Sequence, residues 1–127
     1  MANKFTNFSG HSTIAPGLCL IFTLLWAIPI EAATFYVATN GNDVNPGTPA
    51  LPFRTMYKAG SAMRAGDVVV LRGGTYQEAI VNNFPSGISW DLPTRVTAYA
   101  GEQVTLQPSS ADSRVVYFSR GASYISV

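Results

Sequence analysis

The sequence is poor in the residues that carry much of protein chemistry. One cysteine, Cys19, and one histidine, His11, occur in 127 residues. Both lie ahead of residue 34, in a stretch that reads as a leader. Without that leader the chain has neither thiol nor imidazole. Disulfide staples, thiol nucleophiles, histidine-based triads and zinc sites built on Cys or His are then excluded. Charge is scarce too: Asp, Glu, Lys and Arg make up 12% of the chain and nearly cancel, to +1. No basic excess points to nucleic acid, and no acidic excess to a solvating tail. A chain of this length is one domain at most.

The single long apolar run stands at the front. "LCLIFTLLWAIPI", residues 18–30, is followed by "EAA", the small-residue exit of a secretory signal peptide. A membrane span needs about 20 apolar residues, and Pro29 interrupts a helix of that kind near its end. Residues 1–33 are therefore expected to be a signal peptide, cut after Ala32 or Ala33. An uncleaved anchor is the alternative, since Lys4 is the only firm charge ahead of the run. Lipidation is not expected: Leu18 precedes Cys19 and the apolar run follows it. The expected location is extracellular or periplasmic, with no membrane contact after cleavage.

Behind the leader the pattern is short and strand-like. "TFYVAT", residues 34–39, is β-branched and aromatic. "NGNDVNPGTPALP", residues 40–52, is a structured loop rich in Asx, Pro and Gly. Residues 53–66 suit a short helix with Phe53, Met56, Ala59 and Met63 on one stripe, Thr55 as N-cap and Gly66 at the stop. From Asp67 onward, apolar runs of four or five residues alternate with turns: 68–71, 78–81, 95–99, 103–106, 115–118 and 124–127. Similar runs return at Val70 and Thr97, Val96 and Val116, and Val104 and Ile125, the spacing of a solenoid. In "GDVVVLRGGTYQEAI", residues 68–72 and 78–81 read as two faces of a first coil, with Gly73 and Gly74 at the corner. A β-sandwich would alternate polar and apolar residues more cleanly, and a βαβ fold would need more helix.

The order of these elements resembles the N-terminal end of secreted bacterial right-handed parallel β-helix proteins, the pectate-lyase-like and chondroitinase-B-like group that degrades polysaccharides. In that group a strand of the type "YYVSPxGND" leads to a "NPGT…PF" loop, a short helix and "GDxVxVxxGxY". The matching positions are residues 35–37, 41–43, 45–48, 52–53, 66–67, Gly74 and Tyr76. "VTAYAGEQVTL", residues 96–106, resembles the next segment, "xxAxPGExVxL", with Ala100 where Pro is usual. The resemblance implies an all-β fold, a right-handed parallel β-helix. Residues 34–66 would be its N-terminal strand, loop and capping helix, and residues 67–127 its first coils. It also implies a scaffold fragment of a longer secreted protein: either a polysaccharide lyase or a non-catalytic surface adhesion solenoid. The group's lyases use a Lys or Arg base and an acidic Ca²⁺ cluster on later coils. Expected partners are polysaccharide, through the whole protein, and the remaining coils of the same chain.

No catalytic, metal or cofactor residue is assigned from the sequence. Asn40, Asn42, Asp43 and Asn45 offer oxygen to Ca²⁺ but only one carboxylate, so a loop that bonds its own backbone is the simpler reading. Asp67, Glu78, Asp91, Glu102 and Asp112 form no carboxylate pair by spacing, and Asp67 reads as a turn residue. Arg72, Arg95, Arg114 and Arg120 either line one face towards an acidic sugar or are solvated coil edges. Tyr76, Trp90, Tyr99, Tyr117 and Tyr124 either stack on sugar or fill the core. The irregular stretch 82–94 is the first place to look for a ligand-facing surface. If the leader is cleaved as expected, N-terminal sequencing of the exported protein begins at Ala33 or Thr34; a start within the first 20 residues would show the leader retained.

Overall fold

A computed structural model describes residues 31–109 and 114–127. The apolar core of the leader, Cys19, His11 and Asp112 lie outside the described residues. Among the described residues no helix is long and apolar enough to cross a membrane.

The described residues form eight short strands and one helix: β1 (Thr34–Val37), α1 (Met56–Ala62), β2 (Val68–Leu71), β3 (Gly74–Tyr76), β4 (Ile80–Val81), β5 (Thr94–Ala98), β6 (Val104–Leu106), β7 (Val116–Tyr117) and β8 (Ile125–Ser126). Every strand pair is parallel. One sheet runs β1-β2-β5-β8, a second holds β3 and β6, and a third holds β4 and β7. From β2 onward the chain therefore visits the three sheets in rotation, and each return stacks a strand on the one before.

Register puts like side chains in files. Phe35, Val69 and Val96 are aligned, as are Val37, Leu71 and Ala98. Val37, Val69, Leu71 and Val96 are buried, and Phe35 packs against them. The intervening positions, such as Tyr36, Val70 and Thr97, belong to the other face, as the two-residue period of a strand requires.

The sequence-based period is right at one of three places. Val70 does pair with Thr97. Val104 instead pairs with Gly74, Val116 with Ile80, and Ile125 with Thr94. The cause is physical: the corners differ in length, so β-branched runs from different sheets look alike along the sequence. The coil also has a third face that was not foreseen. Gly74 opens β3 rather than sharing the corner with Gly73. Its φ is 142°, and a Cβ there would lie 2.8 Å from the Thr39 Cγ2 methyl. A three-residue strand beginning with glycine carries no hydrophobic alternation to betray it.

Helix α1 is shorter than the apolar stripe suggests. Thr55 is its N-cap as expected, its hydroxyl accepting from the Lys58 N–H at 3.1 Å. Phe53 lies outside the helix, bridged to Val37 and stacked on Phe35 with ring centroids 5.9 Å apart. Met63 is the C-cap, and Gly66 follows with a φ of 87°. Met56, Ala59 and Met63 are buried against the first coil. Gly60 is needed for contact: a Cβ would sit 2.6 Å from the Asn83 carbonyl oxygen.

Asp67 is more than a turn residue. Its buried carboxylate accepts from the Ala33 N–H at 2.8 Å and the Arg64 N–H at 2.7 Å, tying β1 to the end of the α1 segment. Thr94 is fully buried and its hydroxyl accepts from the Gly66 N–H at 3.1 Å. Replacing Met56, 1% exposed, by Ala should cost about 2–5 kcal/mol through lost burial and the cavity left behind. Urea unfolding of wild type and variant measures it.

Candidate functional site

The chain returns on itself after β1. The Tyr36 N–H donates to the Gly47 carbonyl at 2.8 Å, and the Ala38 N–H to the Phe53 carbonyl at 2.9 Å. The loop between is held by its own side chains. The Asn42 Oδ1 accepts from the Val44 N–H, and the Asn45 amide donates to the Pro52 carbonyl at 2.9 Å. Asp43 accepts from the Arg54 and Thr55 N–H groups, each at 2.9 Å, and from the Thr55 hydroxyl at 2.8 Å. This loop is one wall of a cleft of about 670 Å³, and Arg72, Gly73 and Glu102 line the other.

Arg72 follows β2 and lies level with Tyr99, because Leu71 is paired with Ala98. Its Nε and Nη2 both donate to Glu102, the shortest contact being 2.8 Å. The Glu102 carboxylate also accepts from the Gly73 N–H. The guanidinium carbon lies 4.6 Å from the centre of the Tyr99 ring. The hydrogen bond from Arg72, with that from Gly73, holds the Glu102 carboxyl below the usual glutamate value, and the bond to Glu102 raises the Arg72 guanidinium. Both stay charged at neutral pH, so Glu102 is a poor proton donor and Arg72 a poor base. The pair can bind and orient, but it lacks the second carboxylate that glycoside hydrolysis needs.

The remaining candidates are dispersed. Glu78 accepts from the Met56 and Tyr57 N–H groups at the start of α1. Asp91 is exposed on the 82–94 stretch. Among the described residues no three His, Cys, Asp or Glu side chains converge. The arginines do not form one line: Arg95 is in register with Val68 and Ser126, at the opposite end of the first sheet from Arg72. Arg114 lies over Tyr117, and Arg120 is exposed in a turn. Tyr76 is a core residue, its hydroxyl 2.7 Å from the Arg72 carbonyl and 3.1 Å from that of Val37. Burial, with the Glu102 charge, pushes its pKa to about 12.

The 82–94 stretch does present an aromatic surface. Trp90 is 75% exposed, and Tyr124 braces it edge-on with centroids 5.3 Å apart. The stretch is anchored to the next coil by Gly87 N–H to Ser123 O and Thr94 N–H to Tyr124 O. The pairing of Arg72 with Glu102 was not legible in the sequence. Only the register of β2 on β5 brings together residues that far apart.

Three parallel sheets stacked behind a short capping helix define a pectate-lyase-like β-helix region. The chain belongs to the family described as a protein of unknown function (DUF1565), whose model matches residues 39–103. It is 47% identical over 45 residues to the uncharacterized protein YwoF of Bacillus subtilis, covering 35% of this chain and 10% of that one. It is 29% identical over 103 residues to pectate lyase PEL9 of Emericella nidulans, covering 76% of this chain and 25% of the relative. Among solved structures it is similar to the complex of XylC with xylose, with a TM-score of 0.52 and 34% identity. That match covers 56% of this chain and 11% of the other. The chain thus spans a quarter or less of the length of each.

Asp43 gives the cap a pH dependence. Its modest desolvation raises the carboxyl, but hydrogen bonds from Thr55 and Arg54, with Lys58 nearby, outweigh that and hold it below the usual 3.8. Its contribution is complete above the ordinary aspartate value and is lost as pH falls through the lowered one. Asp43→Asn should cost about 1–2 kcal/mol at neutral pH. The gap from wild type should close below about pH 4, which denaturant unfolding across pH reads out.

Proposed function

We propose that this chain is the N-terminal cap and first coils of a secreted right-handed parallel β-helix protein that acts on polysaccharide. The observation that carries the reading is the rotation of the chain through three parallel sheets behind α1. The likeness to a protein named a pectate lyase and to a xylose complex supports the substrate class. The general rule that parallel crossovers are right-handed in about 98% of cases supports the handedness.

The chemistry then belongs to coils beyond Val127. Calcium, which the fold family implies, finds no free carboxylate in the 40–45 loop. Both Asp43 oxygens are committed to hydrogen bonds within the cap, and the Asn42 Oδ1 is bonded to Val44.

Export fits the same reading, and the two cleavage positions would leave different bonds in the folded cap. A cut after Ala32 turns the Ala33 N–H into an ammonium 2.8 Å from a buried Asp67 oxygen. A cut after Ala33 removes that bond and the one from the Val68 N–H to the Ala33 carbonyl. A chain that starts at Ala33 keeps both bonds.

The full-length protein is expected to shorten pectate or a related polysaccharide, with ultraviolet absorbance from an unsaturated product if the reaction is β-elimination. The present chain alone should give none. Cleavage by this chain alone would place the chemistry here and overturn the assignment. A full-length protein that binds polysaccharide without cutting it would instead be an adhesion solenoid.

A further inference from the structure

We propose that the cleft between the 38–52 loop and the Arg72–Glu102 pair is a binding site for a neutral sugar residue, remote from the catalytic coils. The polysaccharide reading above guides the choice of probes; the site itself is argued from its own geometry. Its volume, about 670 Å³, lies within the roughly 300–1,000 Å³ of ligand pockets.

One wall supplies fixed donors. Arg72 is clamped by two of its nitrogens on Glu102 and by the Tyr99 ring. Among the described residues its Nη1 has no protein acceptor, so those two N–H groups are available to a ligand oxygen. The facing wall supplies acceptors and donors together. Asn45 uses its amide nitrogen on Pro52 and leaves Oδ1 without a partner among the described residues. Asn40 is exposed and lines the cleft. Its side-chain amide carries both an acceptor and donors.

Charge selects the class of ligand. Among the described residues Arg72 is the only cation lining the cleft, and Glu102 neutralises it. A uronate or phosphate would meet a carboxylate with no surplus positive charge. A neutral ring with adjacent hydroxyls accepts from Nη1 and donates to the asparagine oxygens, so both walls are matched. The clamp and the self-bonded loop order these groups in advance, which removes much of the entropic cost of capture. Gly73 lets Glu102 approach closely, because a Cβ there would lie 3.2 Å from the Glu102 Cβ.

Hydrogen-exchange mass spectrometry on the full-length protein reads this site separately from any catalytic groove. Xylotetraose, arabinotetraose and mannotetraose are the neutral probes, and tetragalacturonate is the anionic one. At least one neutral probe should protect peptides covering 38–52 and 72–74. Arg72→Lys keeps the charge but loses the fork, and should raise the half-maximal concentration about tenfold. Asn40→Ala, which removes no internal hydrogen bond, should raise it several-fold, and Trp90→Ala should leave it unchanged. The proposal fails if no neutral probe protects these peptides, or if tetragalacturonate protects them at lower concentration. It also fails if Asn40→Ala behaves as wild type or the loss is confined to Trp90→Ala. Polysaccharide cleavage is scored in parallel: cleavage without protection removes this site alone, and protection without cleavage removes only the enzymatic reading.

Discussion

The closure of the outer edge of β1 by the chain's own return is the constraint on which the structure depends. A parallel strand at the end of a sheet exposes a row of unpaired N–H and C=O groups, open to any passing strand. Here Tyr36 donates to Gly47, Phe53 donates to Tyr36 and Ala38 donates to Phe53. The strand is thus satisfied on both sides, by β2 and by the loop. That return brings Phe53 onto Phe35 and sets Thr55 where α1 begins. Asp43 and Glu78 then hold the first N–H groups around that start, one from the loop and one from the first coil. Loop, helix and coil are fastened at one point.

Much of this was legible in the sequence, for definable reasons. β1, β2 and the start of α1 carry strong local signals: β-branched runs, an N-cap threonine and an Asx-Pro-Gly loop. The resemblance of residues 34–106 to β-helix proteins rests on those same punctuation residues and agrees with the family found. β3 was illegible because three residues beginning with glycine have no pattern. The stacking of later strands was misread because corners of unequal length spoil the period. Phe53 was placed on the helix because its spacing from Met56 fits an apolar stripe, while its backbone is taken up by pairing with Val37.

The cleft shows a different limit. Its two walls come from residues 38–52, 72–73 and 102, brought together by register alone. Composition gave each residue a bland role, a turn or a solvated edge, and singly each role is true: Asn42 and Asp43 do serve the loop. Only the combination is new. A cation already neutralised by its neighbour and backed by a tyrosine ring is a fixed polar surface, suited to recognising hydroxyl groups and unsuited to proton transfer. The aromatic candidates divided in a similar way. Tyr76 is interior, while Trp90 projects from the stretch between β4 and β5.

Among the described residues register is set by three narrow sheets, whose pairings are two to four residues long. Some corners add bonds of their own between coils, Gly87 to Ser123 and Arg72 to Glu102 among them. The exposed parts of the stretch joining β4 to β5, around Asp91, can still gain or lose residues at little cost, since closing a longer loop costs little more than closing a short one. The architecture separates inheritance from invention. Files such as Phe35, Val69 and Val96 must be kept for any coil to stack, while the exposed parts of the corners are free to change. Relatives sharing this cap can thus diverge in what they hold along their flanks while folding in the same way.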